Sequence, residues 1–140
     1  MKLFVDTWGW ITLSSEKEYN YKEVDIFYNE FIEKRGIVFT TDYVMNETIT
    51  FIFNRLPFNI AEEYINGIFD AIKLGYVKLE FISAERFRKA WELRLKFNDK
   101  PKISFTDFTS FVVMDELGIE DVLTGDIHFE AINMGFKKIL

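Results

Sequence analysis

The sequence predicts an α/β fold, a three-layer α/β/α arrangement with a short, mainly parallel sheet flanked by helices. Two observations point to it. Apolar runs of strand length recur along the chain (KLFV, IVFTT, YVKLEFI, DVLTG and FKKIL). Most are separated by longer stretches whose apolar residues recur at helical spacing, the alternation that places helices on both faces of a parallel sheet. No repeat, low-complexity stretch or long linker interrupts the 140 residues, so 1–140 is read as a single domain.

KLFV (Lys2 to Val5) reads as a buried strand ending at Asp6. Val24, Phe27, Tyr28, Phe31 and Ile32 mark an amphipathic helix, with Gly36 as its stop. IVFTT is the second strand. Thr41 or Asp42 can cap the next helix, which runs through Val44, Thr48, Phe51 and Ile52 to Arg55 and stops near Pro57. Ile60, Ala61, Tyr64, Ile65, Ile68, Phe69 and Ile72 mark another helix, ended by Gly75. YVKLEFI alternates Val77, Leu79 and Phe81 as a third strand. A helix from Ser83 to Phe97 follows, expected to pack Phe87, Ala90 and Trp91, then a loop from Asn98 to Lys102. Ser104 opens a helix that ends at Gly118, DVLTG runs into Asp126, and FKKIL closes the chain.

Composition removes several functional classes. The chain is 49% hydrophobic with 16 Phe, far from a disordered profile. Without cysteine it can hold neither disulfides nor a thiolate zinc site, and its one histidine, His128, rules out a zinc site built on imidazoles. A Ser-His triad would need His128. Asp6 follows only three apolar residues, which is not the pattern of a signal peptide, and no apolar run reaches membrane-span length. The expectation is a soluble cytoplasmic protein. The net charge is −6, unevenly spread: Arg86 to Lys102 carries seven basic residues against Glu92 and Asp99, +5 in that segment and −11 elsewhere. The segment suits phosphates. It equally suits a solvated helix face, with Glu85/Lys89 and Glu92/Lys96 at i, i+4.

Four acids stand out. Asp6 and Asp126 fall at the carboxyl ends of strands, where α/β sheets place their sites. Glu47 falls between Val44 and Phe51 on the stripe expected to be buried, and Asp107 shares a helix face with Phe111 and Met114. Each has a structural alternative. Asp6 can cap a helix, Asp126 can sit in a turn, Glu47 can pair with Arg55, and Ser104-x-x-Asp107 can be a capping box. Those alternatives do not explain four acids from four distant places, all at strand ends or core-facing helix positions. Hard carboxylates without thiolates or an imidazole cluster prefer Mg²⁺ or Mn²⁺. Two such ions ~4 Å apart would activate a water and stabilise the leaving oxygen of a phosphodiester. Without metal the cluster repels itself, so some of these carboxyl pKa values should be raised.

With these residues in place the chain resembles the PIN-domain ribonucleases, most closely the VapC-like toxins of toxin–antitoxin pairs. DTWGW supplies Asp6, Thr7 and Trp10; TTDYVMNETITFIFNR supplies Glu47 and Arg55; SFTDFTSFVVM supplies Asp107; LTGDIHF followed by GF supplies Asp126. The resemblance covers almost the whole chain, in order. It implies a PIN-like domain, divalent-metal-dependent endoribonuclease activity on structured RNA, homodimers, and a cognate antitoxin that blocks the site; docking of that antitoxin across the helices before Gly36 and Pro57 is a separate hypothesis. It makes Asp6 and Asp107 the principal metal ligands, with Glu47 and Asp126 completing the acidic pocket. Thr7, Ser104, Thr106 and Arg55 would orient ligands or water. Trp8 stands where relatives carry a small residue and is a candidate for stacking on a base. Arg86, Arg88, Lys89, Lys100 and Lys102 are candidate RNA contacts, and His128 is assigned a supporting rather than a ligating role. The alternative is a non-catalytic PIN module that binds RNA or a protein partner. A flap-type DNA nuclease would need helical elements for which the chain lacks room, and a haloacid-dehalogenase site would need a second aspartate that DTWGW lacks.

Overall fold

The computed structural model describes residues 1–140. The chain runs β1 (Lys2–Val5), α1 (Thr7–Leu13), α2 (Tyr21–Glu33), β2 (Ile37–Thr41), α3 (Asp42–Arg55) and α4 (Phe58–Leu74). It continues through β3 (Val77–Glu80), α5 (Ala84–Lys96), α6 (Phe105–Leu117), β4 (Asp121–Leu123), α7 (His128–Ala131) and β5 (Lys137–Ile139). Leu3, Phe4 and Val5 are fully buried, as a strand covered on both faces must be. β1 therefore sits at the centre of a five-stranded sheet of order β3-β2-β1-β4-β5, every pairing parallel. Helices close both faces, giving the three-layer α/β/α fold.

The most deeply buried helix is α6. From Phe108 to Met114 every residue is buried, so its middle has no solvent face. Phe111 packs edge-on against Phe108 and Phe129 and stacks on Phe136, joining α6 to α7 and the approach to β5. Its buried middle holds only two small hydroxyls, Thr109 and Ser110, and its charged groups fall outside that stretch. That is why Ser104 and Asp107 lie at the rim of the core.

Two helices were not expected from the sequence. α1 spans seven residues and α7 four, too short for a period to register. α1 is fixed by tertiary contacts instead. Trp10 is buried, its Nε1 donates to Thr40 Oγ1 at 3.1 Å, and Thr40 Oγ1 donates to the Val5 carbonyl at 3.1 Å.

The end of α2 also differs from expectation. The left-handed residue is Arg35, with φ 63°, and Gly36 serves another purpose: a Cβ there would fall 2.3 Å from the Phe31 ring. On α5 only Ala90 is buried; Trp91 is half exposed, and Phe87 packs on Phe105 from an exposed position.

Arg94 organises the loop that delivers Ser104 and Asp107. Its guanidinium donates to three backbone carbonyls, of Phe97 (2.6 Å), Lys100 (2.8 Å) and Ile103 (2.9 Å), and lies 4.5 Å from the Phe108 ring centroid. Only a planar fork reaches several acceptors and a ring face together. Arg94→Ala should cost about 2–3 kcal/mol in urea denaturation, because it leaves carbonyls without partners and removes a cation–π contact. Arg94→Lys should recover less than half of that loss.

Candidate metal and catalytic site

The order of the sheet reverses at β1: the chain crosses to β2 and β3 on one side, and later to β4 and β5 on the other. A crevice opens beyond the carboxyl ends of strands at such a point. Val5 and Leu123 are register partners, so Asp6 and Thr124 leave the sheet side by side. Asp6 then turns into α1 as its N-cap, with Oδ1 accepting from Gly9 N at 3.2 Å. Its Oδ2 accepts from Thr124 Oγ1 at 2.5 Å, and Thr124 Oγ1 accepts in turn from Asp126 N at 3.0 Å. One fully buried hydroxyl thus ties Asp6 to the Asp126 turn.

The other two acids arrive on helices. Ser104 caps α6, its Oγ accepting from Asp107 N at 3.0 Å, so the capping box is real on the serine's side. Glu47 comes from α3 and is exposed, contrary to the expectation of a buried stripe. The buried face of α3 is Val44, Met45, Thr48 and Ile52, and Glu47 stands one position off it. The Glu47–Arg55 ion pair does not form either. Arg55 reaches Glu18 at 2.8 Å, while Glu47 Oε1 accepts from Thr7 Oγ1 at 2.8 Å.

Asp6, Glu47, Asp107 and Asp126 line one cavity of about 530 Å³, together with Thr7, Trp8, Lys102, Ser104 and Gly125. Burial, above all, pushes the Asp6 carboxyl up to about 7 despite its bonds from Thr124 and Gly9, with Asp107 and Asp126 adding repulsion. Burial likewise pushes Asp107 up to about 6; the Asp126 and Glu47 charges raise it further, against His128 and Ser104. His128 Nδ1 is buried without a well-aligned hydrogen-bond partner, 2.9 Å from Asp126 Oδ1 and 3.8 Å from Asp107 Oδ2. The backbone N–H of His128 donates to that same Asp126 Oδ1 at 2.8 Å.

Ligand atoms of Asp107, Asp126 and His128 lie within 4.8 Å of one another, close enough to hold one divalent cation. Raised carboxyls, an orphaned imidazole nitrogen and hard oxygen donors facing one cavity are what a cation would satisfy, so the residues fit a metal.

The basic residues divide. Lys102 reaches the acid cavity, and Lys100 and Lys102 line a small adjoining cavity with His128. Lys100 also lies 3.6 Å from Asp99. Arg86 is committed elsewhere, to Glu116 (3.0 Å), Glu80 (3.0 Å) and the Phe81 carbonyl (2.9 Å), which is a structural tie. Lys89 pairs with Glu85 at 3.6 Å, and neither it nor Arg88 lines the acid cavity. Thr106 lies outside the cavity lining, and its carbonyl accepts from Thr109 Oγ1 at 2.6 Å. Arg55 faces a neighbouring groove.

Thr124 was missed by sequence reasoning. Its place just beyond a strand and two residues before an acid was the available signal. Trp8 is positioned by Gly125, where a Cβ would fall 2.4 Å from the indole Nε1. A glycine is needed there for close approach, and the indole becomes one wall of the cavity.

An all-parallel sheet of this order, with carboxylates gathered at its switch point, is the PIN architecture, and the chain is similar to PIN-domain ribonucleases. Its relatives narrow this. Over 138 residues, 98% of this chain and 97% of the relative, it is 29% identical to the 23S rRNA-specific endonuclease VapC20 of two Mycobacterium tuberculosis strains. The crystal structure of VapC20, described as a sarcin–ricin loop cleaving toxin, aligns with a TM-score of 0.78 at 27% identity, covering 98% of each chain. VapBC2 from Rickettsia felis, crystallised with a DNA fragment from its promoter, shares the fold at a TM-score of 0.71 and 14% identity, covering 99% of this chain and 98% of that one. No protein-family model matches the chain.

The raised carboxyls carry a sign. Asp107 titrates near 3.8 unfolded and about 6 folded, so the stability it contributes is full below 3.8 and lost as pH rises through about 6. Metal-free Asp107→Asn should therefore gain about 1–2 kcal/mol over the parent at pH 8, and the gain should shrink towards zero near pH 4, in urea melts with EDTA.

Proposed function

We propose that this protein is a divalent-metal-dependent endoribonuclease that hydrolyses phosphodiester bonds of structured RNA, and that it is the toxin of a toxin–antitoxin pair. The observation that carries the reading is the convergence of four carboxylates, from four separate segments, on one cavity. The relation to a 23S rRNA-specific endonuclease supports ribosomal RNA as the first substrate to try, with the sarcin–ricin hairpin at the head of the list.

Asp107 and Asp126, whose ligand atoms gather with His128 Nδ1, would hold Mg²⁺ or Mn²⁺ together with Asp6, with Glu47 at the open side of the pocket. When bound, such ions supply Lewis acidity at the attacking water and at the leaving oxygen. The chain's own residues prepare the site. Thr124 and the α1 amide fix both oxygens of Asp6, so its geometry is set before substrate arrives. Thr7 holds the Glu47 carboxylate at the mouth. Asp6 and Asp107 release whatever protons they carry as a cation takes their place. Lys102, at the rim, offers an ammonium to an RNA phosphate. Water is the attacking group in this reading, with the Thr7 hydroxyl engaged in holding Glu47.

The same reading carries a cognate antitoxin as partner, a homodimer as the working assembly, and the cytoplasm as the compartment. Of the two helices expected to dock an antitoxin, α2 but not α3 borders an apolar groove of about 590 Å³, shared with α1 and α4 and walled by Trp10, Leu13, Tyr28, Tyr64 and Ile68, which offers an antitoxin a place to dock. No helix is long and apolar enough to cross a membrane.

Cleavage of a panel of structured RNAs, sarcin–ricin hairpin included, tests the reading with Mn²⁺ or Mg²⁺, with EDTA, and with Asp107→Asn. The expected result is metal-dependent cutting that falls at least about 100-fold with Asp107→Asn and disappears with EDTA. Folded protein that cuts nothing would move the assignment to a module that binds RNA or a protein. A linked expectation concerns metal affinity. Because protons compete at Asp6 and Asp107, Mn²⁺ should bind more tightly as pH rises from about 6 to 8. Calorimetry in buffers of different ionisation enthalpy should detect the released protons.

A further inference from the structure

A second and larger groove, of about 1060 Å³, adjoins the acid cavity and shares Thr7, Trp8 and Glu47 with it as a common wall. It lies between α1, the segment leading into α2 and the solvent-facing side of α3. We propose that this groove is a nucleobase subsite, holding one unstacked base of the RNA beside the phosphate that is cut. The inference rests on the ribonuclease reading above and adds how that site selects its RNA.

The position of the groove is the first ground. A nucleotide whose phosphate lies at the carboxylates must send its base outward, and Trp8 and Glu47 face both spaces. The composition of the walls is the second. Trp8 and Phe51 supply aromatic faces, and Tyr19 stands at the lip, 88% exposed. Enzymes that act on structured RNA read splayed-out bases by stacking on such rings and by hydrogen bonds to their edges. Asn46 and Thr50 point the second kind of contact into the groove from consecutive turns of α3.

Charge is the third ground, and it separates a base from a backbone. The one cation in the lining, Arg55, is held at 2.8 Å by Glu18 and lies 5.3 Å from the Phe51 ring centroid. With Glu18 and Glu47 both present, the lining has no positive excess to attract phosphate. It suits a neutral, planar, hydrogen-bonding group. The walls are also fixed in advance. Gly125 seats the Trp8 indole, and Asn20, in the left-handed conformation at φ 68°, turns the chain just after Tyr19.

The test uses the full chain with Mn²⁺ and whichever hairpin of the panel it cuts, beginning with the sarcin–ricin hairpin. Parallel hairpins carry an abasic nucleotide on either side of the cut phosphate. Tyr19→Ala and Asn46→Ala change exposed side chains, and circular dichroism checks their folding. We expect one abasic position to lower kcat/KM about 10-fold or more for the parent. Each variant should lose a similar factor on the intact hairpin, yet cut that abasic hairpin as the parent does. Metal-dependent cutting that the variants leave unchanged, or that they weaken equally on intact and abasic RNA, would overturn the subsite while the nuclease reading stands. Variants that cut normally but no longer bind an antitoxin peptide would assign the groove to protein and overturn it as well. A parent that cuts no RNA at all would remove both readings together.

Discussion

The pairing of β1 with β4 is the constraint from which the site follows. It places Asp6 and Thr124 side by side at the only point where the sheet order reverses, and there the chain accepts a buried carboxylate. Burying an acid is costly unless hydrogen bonds or a cation compensate. Here the hydroxyl of Thr124 and the amide of Gly9 compensate in part, and the carboxyl still sits near 7. The fold thus keeps a carboxyl whose charge its own hydrogen bonds compensate only in part. The metal affinity proposed above and the predicted gain in stability of metal-free Asp107→Asn would have the same source, carboxylates held in a site that disfavours their charge.

The rest of the cavity is graded outward from that point. Asp107 is held by a helix cap at the rim of the core, Asp126 by a tight turn, and Glu47 only by Thr7 at the surface. Positive charge is kept to one side. Arg86 and Arg94 serve the interior of the α5–α6 region, leaving Lys100 and Lys102 nearest the acids. A chain of net charge −6 with only Lys100 and Lys102 beside the acids has little non-specific pull on nucleic acid at the site. Under the proposed function, recognition would then come from shape and base contacts.

Much of this was legible in the sequence because the strands are short continuous apolar runs and the larger helices carry a clear stripe. The alternation gave the layers, and the acids after KLFV and DVLTG marked the productive edge of the sheet. What stayed hidden had definite causes. α1 is held by Trp10 and Thr40 rather than by its own periodicity. Glu47 was placed on the buried face because Phe51 was counted as core, whereas Phe51 is 39% exposed and Thr48 is the buried residue. Arg55 was paired within its own helix because distance along a helix is readable and a partner in a preceding loop is not. Thr124, a small residue between Leu123 and Gly125, gives no sign in the sequence that its hydroxyl ties Asp6 to the Asp126 turn.

The hydrogen bond from Thr7 to Glu47 stands where the acid cavity and the larger groove meet. The two spaces are therefore not independent compartments. Anything that draws Glu47 towards the carboxylates changes the wall of the groove, and anything seated in the groove changes where Glu47 rests. Thermodynamic reciprocity makes that coupling equal in both directions. Under the proposed function, the cation and the base seated beside it would report on each other through a single shared carboxylate.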